Sequence, residues 1–393
     1  MMDNFDFRNP TQILFGEGRV ADLDSQIPAD ARVLVLYGGQ SAQRNGTLDE
    51  VRAALGKRNV VEFGGIEANP RFATLMRAVE LARRENIDFL LAVGGGSVVD
   101  GTKFVAAAIP FAGDTWSILT EHGANVTAAV PFGTVLTLPA TGSEMNHGSV
   151  ITNDAVKAKL AFMSSHVYPA FSVLDPTKTY TLPQRQLANG VADAFVHIIE
   201  QYLTYPVDAM VQDRFAEGLL QTLIELAPRL KEDDHDYAAR ANFMWTTTWA
   251  LNGMIGAGVP QDWASHMIGH ELTALYDIDH ARTLAIVLPS LMNEMRDAKR
   301  EKLLQYAERV WGIDTGDDAS RIDQVIERTR EFFEELGIPT TLAAYDLGSE
   351  AVDAVVEQLE SHGMTALGER QQVTLDVSRR ILESALAPAQ LTV

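Results

Sequence analysis

Between residues 32 and 174, short apolar strand-like runs alternate with amphipathic helical stretches, and after Thr181-Leu182-Pro183 the alternation stops. That change of texture narrows the available folds, because strands that recur with a helix between them pair in parallel and need cover on both faces. Arg32–Tyr37 reads as a buried strand, and Val60–Phe63, Asp88–Val93, Gly133–Leu138 and Phe171–Leu174 as further strands. Helical stretches from about Ser41 to Lys57 and about Arg71 to Arg84 separate the first three. From Gln184 onward apolar residues recur at helical spacing, in 184–203, 208–227, 238–254, 283–296 and 320–336. The expectation is an α/β N-terminal domain over residues 1–183, with a mostly parallel sheet, and an all-α C-terminal domain over 184–393.

The chain of 393 residues, 46% of them hydrophobic, is long enough for two full cores. Lys and Arg total 32 against 53 Asp and Glu, a formal charge of -21, which repels polyanions and argues against nucleic-acid or anionic-membrane partners. A small polar or neutral molecule is the expected partner. With no cysteine, disulfides, thiolate nucleophiles and Cys-ligated metal centres are excluded, so a metal would need His, Asp or Glu. The N-terminus MMDNFDFRNPTQILFG lacks the basic and apolar regions of a signal peptide, and no long uncharged apolar stretch follows. A soluble, cytoplasmic protein is expected.

Gly94-Gly95-Gly96-Ser97-Val98-Val99-Asp100-Gly101 follows an apolar strand and opens the helix GTKFVAAAI. Glycines there let backbone approach a pyrophosphate, whose charge the free N–H groups and dipole of the next helix stabilise. The competing reading is a plain tight turn. The loop is neither the usual dinucleotide fingerprint nor a P-loop, since Lys103 is not at the G-K-[ST] position. A second loop, Thr137-Leu138-Pro139-Ala140-Thr141-Gly142-Ser143-Glu144, is weaker evidence. The first loop, Tyr37-Gly38-Gly39-Gln40-Ser41-Ala42-Gln43-Arg44, bears on cofactor type. NAD-selective sites usually place an acid at such a strand end, and none is present, whereas Ser41 and Arg44 could meet a 2′-phosphate. NADP is therefore favoured over NAD, with Arg44 as a solvated helix residue the alternative.

Asp193 and His197 lie four apart in GVADAFVHIIEQY, as do His266 and His270 in ASHMIGHEL, and His280 follows in IDHARTLAIVLP. Residues four apart share a helix face and can reach one point. Taken singly, such pairs are as readily capping contacts or satisfied buried histidines. The zinc-protease pattern is absent, because Met267 stands where its Glu would follow the first His. On one continuous helix His266 and His280 would be about 21 Å apart, while ligands sit about 2 Å from an ion. The chain must turn back in LYDIDHA, where Asp277 and Asp279 are poor helix-interior residues. Imidazoles with a carboxylate suit zinc or ferrous iron. Glycine loops in one half and metal candidates in the other point to a site between domains.

With these motifs located, the chain resembles the iron-containing, or group III, alcohol dehydrogenases over nearly its whole length. The matches are the ILFGEG opening, Asn69-Pro70, Gly94-Gly95-Gly96-Ser97 with Asp100, TLPATGSE, Leu174-Asp175-Pro176 through Pro183, then Gly190, Asp193, His197 and Glu200, and the GHEL and DHA segments. The resemblance implies a Rossmann-like first domain in a dehydroquinate synthase-like two-domain architecture, and a homodimer. It implies Asp193, His197, His266 and His280 as ligands of one Zn2+ or Fe2+, with His270 a pocket residue that does not ligate; the proton relay falls to His270, water or the ribose hydroxyls. It implies cofactor contacts from Gly38, Gly39, Gln40, Ser41, Asn69, Pro70, Gly94, Gly95, Gly96, Ser97, Asp100, Thr137, Leu138, Thr141 and Leu182. The GG-x-S loop and the DHA-x-T segment are similar to the NADPH-dependent aldehyde reductase and butanol dehydrogenase branch. Many relatives have Gly where this chain has Ala281, and Asp where it has Gly39-Gln40, the second departure again favouring NADP. The implied activity is hydride transfer between NADP(H) and aldehydes or primary alcohols. A polyol dehydrogenase is the nearest alternative, ahead of a dehydroquinate synthase-like lyase, a nucleotide-binding protein without turnover and a metal hydrolase.

Overall fold

The computed structural model describes residues 1–386. The chain forms two compact units. One comprises Arg8–Pro183 and Arg229–Asn252, the other Met1–Phe7, Gln184–Pro228 and the chain from Gly253 onward.

The first unit is built on six strands: β1 (Gln12–Phe15), β2 (Arg32–Tyr37), β3 (Asn59–Phe63), β4 (Phe89–Gly95), β5 (Phe132–Leu138) and, after a hairpin, β8 (Phe171–Leu174). They pair in the order β1-β8-β5-β4-β2-β3, and every pairing is parallel. The apolar runs of β2, β4, β5 and β8 are buried on both faces, whereas β3, at the edge of the sheet, is only partly covered. Leu34, Leu36, Leu90 and Ala92 pack beneath α2 (Phe72–Arg84) and α3 (Gly96–Ala108). Val33, Val35, Leu91 and Val93 pack under α1 (Thr47–Leu55) on the other face. Each fully buried Val or Leu among them contributes about 1.5–3 kcal/mol. The crossover from β2 goes to its neighbour β3, and the chain then returns to β4 on the other side of β2. The strand order therefore reverses between β2 and β4, and ligands of open α/β sheets bind beyond the carboxyl ends of strands at such a point.

Three details depart from the sequence expectation. The helix from 41 to 57 is two pieces, Ser41–Arg44 and α1, because Gly46 between them sits in the left-handed region at φ 81°. An antiparallel hairpin, β6 (Gly148–Asn153) with β7 (Ala158–Met163), was not foreseen. The helix expected at 238–254 ends at Ala250 and belongs to the α/β unit, whereas the sequence placed it in the all-α half. Its buried polar residues explain this. Arg240 donates to the Thr179 carbonyl at 3.0 Å, and the Thr248 hydroxyl donates to the buried Glu144 carboxylate at 2.5 Å.

The second unit is helical: α4 (Gln184–Tyr202), α5 (Met210–Glu232, its last turn past Pro228), then α7 (Ala264–Tyr276), α8 (His280–Glu294), α9 (Arg300–Trp311), α10 (Asp318–Glu335), α11 (Ser349–Ser361) and α12 (Leu375–Ser384). The helix Tyr237–Ala250 of the other unit is α6. Ala264, Ile268 and Leu272 recur at four-residue spacing on α7 and pack with α8, α11 and α12, which leaves a different face of α7 for His266 and His270. Among the described residues no helix is long and apolar enough to cross a membrane.

Candidate metal and cofactor sites

The metal candidates come together within the helical unit. Asp193 and His197 project from α4, all of whose residues from Leu187 onward are buried, and His266 and His270 from α7. The return between His266 and His280 is made where LYDIDHA suggested. Asp277 ends α7 in the left-handed region at φ 54°, and Asp279 begins α8. The Asp279 carboxylate does not cap its own helix. It accepts instead from Asn189 Nδ2 at 2.9 Å and pairs with Arg185 Nη2 at 2.8 Å, both on α4. This clamp fixes the first residue of α8, His280, beside Asp193.

One ligand atom from each of Asp193, His266 and His280 lies within 4.8 Å of the others. The His280 and His266 ring centroids are 5.2 Å apart. His197 and His270 lie beside this trio. His197 stacks on His266 at 4.6 Å, with its Nδ1 3.9 Å from Asp193 Oδ1, and His270 is 4.8 Å from His280 between ring centroids. The donor set fits a divalent cation. Asp193 Oδ1 is buried with no hydrogen-bond donor, an acceptor that a bound cation would fill.

Glu200 is the residue whose role the sequence did not disclose. It follows Asp193 and His197 at helical spacing on the same face of α4, is buried, and accepts from Ser265 N at 2.6 Å while its second oxygen meets His266 Nδ1. Burial, reinforced by the charge of Asp262, pushes its carboxyl up to about 8.

In the α/β unit the glycine loops meet at the carboxyl end of the sheet. β4 runs on through Gly94 and Gly95 with a register shift against β5, and α3 begins at Gly96. A Cβ on Gly95 would lie 3.0 Å from Leu138 Cβ, and one on Gly96 only 2.4 Å from Thr141 Oγ1, so these loops are in contact because both positions lack side chains. Asn69, at φ 56°, donates its backbone N–H to Ser97 Oγ at 3.3 Å and accepts from Lys159 Nζ at 3.1 Å, with Pro70 following. At the end of β2, Gly39, Gln40 and Ser41 are exposed, Gly38 is half-buried, and the Arg44 guanidinium donates to Gln40 Oε1. Thr137 is buried within β5, and Leu182 is half-buried with its N–H bonded to the Thr179 carbonyl.

Asp100 faces inward. Its carboxylate accepts from Ser143 Oγ at 2.6 Å and Val150 N at 3.0 Å. Lys103, one turn on, is fully buried and donates to Ser143 Oγ and Asn146 Oδ1 at 2.8 Å and to the Gly148 carbonyl at 2.7 Å. Burial pushes this ammonium down to about 8, with Asp100 and Glu144 pulling the other way. Together they strap the loop Thr137–Glu144 to α3. Sequence reasoning used Lys103 only to exclude a P-loop.

A family model described as iron-containing alcohol dehydrogenase matches residues 10–176, and one described as the C-terminal part of the Fe-containing alcohol dehydrogenase family matches residues 187–386. The chain is 60% identical over 386 residues, 98% of its own length and 100% of the relative's, to the NADPH-dependent aldehyde reductase YqhD of Escherichia coli K12. It is 42% identical to the probable NADH-dependent butanol dehydrogenase 1 of Bacillus subtilis, covering 92% of this chain and 95% of that one. The crystal structure of E. coli YqhD superposes with a TM-score of 0.97 at 59% identity, over 98% of this chain and 99% of that one.

Proposed function

This chain belongs to the iron-containing alcohol dehydrogenase family, and on that premise we propose that it is a metal-dependent, NADP(H)-linked oxidoreductase that interconverts aldehydes and primary alcohols, acting as a broad-specificity aldehyde reductase. The observation that carries the reading is the group formed by Asp193, His266 and His280, whose ligand atoms lie within 4.8 Å of one another in the helical unit. Asp193, His197, His266 and His280 would hold a Zn2+ or Fe2+ ion, both of which suit imidazole and carboxylate donors. When bound, the ion supplies Lewis acidity to a carbonyl oxygen and the nicotinamide supplies hydride to its carbon.

The chain's own residues do the rest. Asp193 lowers the net charge of the site. His270, buried next to His280, is placed to hold or move the proton that the product oxygen requires. Gly95, Gly96 and Ser97 offer the N-terminal N–H groups of α3 to a pyrophosphate. At the end of β2 no carboxylate repels a 2′-phosphate, and Ser41 and Arg44 are exposed to receive it. The NADPH named for the E. coli relative supports this choice over the NADH named for the B. subtilis one. A cytoplasmic homodimer completes the reading, to be checked by sedimentation.

Elemental analysis with reconstitution tests it. Metal-stripped protein should be inactive and regain NADPH-dependent aldehyde reduction with zinc or ferrous iron. Full activity without either ion would end the proposal.

A further inference from the structure

Glu200 is a buried carboxylate to which the proposed reaction gives no task. It lies on α4, three residues after His197, and is 2% exposed. Its partners are two consecutive residues in the first turn of α7. Ser265 N donates to Oε1 at 2.6 Å, and His266 Nδ1 meets Oε2. The start of α7 has no cap of its own, since its N-cap residue, Trp263, lies in the left-handed region and makes no side-chain capping bond. Two carboxylates replace it. Asp262 Oδ1 accepts from Ala264 N at 3.0 Å, and Glu200 takes the next N–H, so both sit at the positive end of the helix dipole.

The backbone of Glu200 is tied to the same segment. The Asp262 N–H donates to the Glu200 carbonyl at 2.8 Å, and Lys299 Nζ, buried, sits 2.7 Å from Asp262 Oδ2. Held from α4 at one ring nitrogen, and packed edge-on by Trp263 at 5.2 Å and face-on by His197 at 4.6 Å, the His266 ring has its orientation set. With Nδ1 engaged by Glu200, Nε2 is left as the nitrogen His266 can offer to the group with Asp193 and His280.

We propose that Glu200 is a positioning residue for the metal centre: it keeps the proton of His266 on Nδ1 and locks the ring so that Nε2 is presented, lone pair outward, to the ion. Resting on the metal site proposed above, this adds a residue that touches neither ion nor substrate. Carboxylate partners of ligating histidines raise ligand basicity and fix the tautomer, and losing one typically weakens metal affinity about 10–100-fold. Glutamine is a sharp probe because its amide offers one acceptor oxygen where Glu200 must serve two donors.

The test uses the zinc-loaded full chain. Zinc release to an excess of chelator is timed for wild type and Glu200→Gln, and nitrogen-15 histidine spectra of the zinc-loaded wild type report which ring nitrogen of His266 carries hydrogen. The expected result is Nδ1–H with Nε2 bound in wild type, and about 10–100-fold faster release from the variant. Release within twofold of wild type, or zinc on Nδ1 of His266, overturns the assignment. Should the variant not fold, the wild-type spectrum alone decides. Wild type that takes up no zinc would instead overturn the metal site itself, a different failure.

Discussion

Gly96→Ala tests whether the two glycine-bearing loops of the α/β unit form one cofactor cradle. An added Cβ would lie 2.4 Å from Thr141 Oγ1, 2.6 Å from Cγ2 and 3.0 Å from Cβ. Rotating the threonine does not clear it. Two of its three staggered positions face Gly96, and two of the three carry heavy atoms, so every rotamer leaves at least one facing position filled. Backbone must therefore yield by roughly 1 Å, and forced overpacking of this kind costs about 1–3 kcal/mol. If NADPH needs the undistorted contact, that range converts to about a 5- to 150-fold rise in Kd. Fluorescence titration of NADPH into the variant measures it, with metal content, which depends on the other unit, as the internal control. An NADPH Kd and a melting temperature both indistinguishable from wild type would refute the claim that these loops touch where the cofactor binds.

Three further outcomes are expected. Asp193→Asn should lose stoichiometric metal and NADPH-linked turnover while the far-ultraviolet circular dichroism is kept, and a variant with full metal content would remove Asp193 from the ligand set. Gly39→Asp, at an exposed position where a Cβ meets nothing within 4 Å, should move the NADPH-to-NADH preference toward NADH by about tenfold or more, a shift of at least about 1.4 kcal/mol; an unchanged ratio would show that this loop does not read the 2′-phosphate. Lys103 titrates at about 8 in the folded chain against 10.5 ordinarily, so between those values the unfolded state binds more protons and stability rises with pH. Its share, at most about 1.4 kcal/mol per pH unit, is absent below pH 8 and should vanish in Lys103→Met; urea midpoints of wild type and variant that run parallel from pH 8 to 10 would contradict it.

How much of this was legible in the sequence depended on whether the signal was local. Arg32–Tyr37 and Phe171–Leu174 were readable because strands buried on both faces are continuous apolar runs. Asp193 with His197 and His266 with His270 stood out because helical spacing pairs them. His280 is joined to them only through the turn at Asp277, where Asp tolerates the left-handed conformation, and it was the family resemblance that grouped Asp193, His197, His266 and His280 as expected ligands. The hairpin of β6 and β7 escaped, since its residues are only partly buried and its turn carries Lys157 at φ 48° where Gly or Asn is usual. The placement of α6 escaped too, because what ties it to the α/β unit is Thr248 meeting Glu144, residues far apart in sequence. Glu200 stood at the right spacing, yet only folding brings it to His266, and Lys103 was informative only once burial showed what it holds.

The most direct test of the central claim is NADPH consumption by one preparation supplied with a short-chain aldehyde, assayed metal-stripped, zinc-reloaded and iron-reloaded, and with NADH in place of NADPH. Turnover is expected only with metal present, with a preference for NADPH and one alcohol formed per NADPH oxidised. Equal turnover in the stripped protein, or none with any ion across a panel of aldehydes, would contradict it.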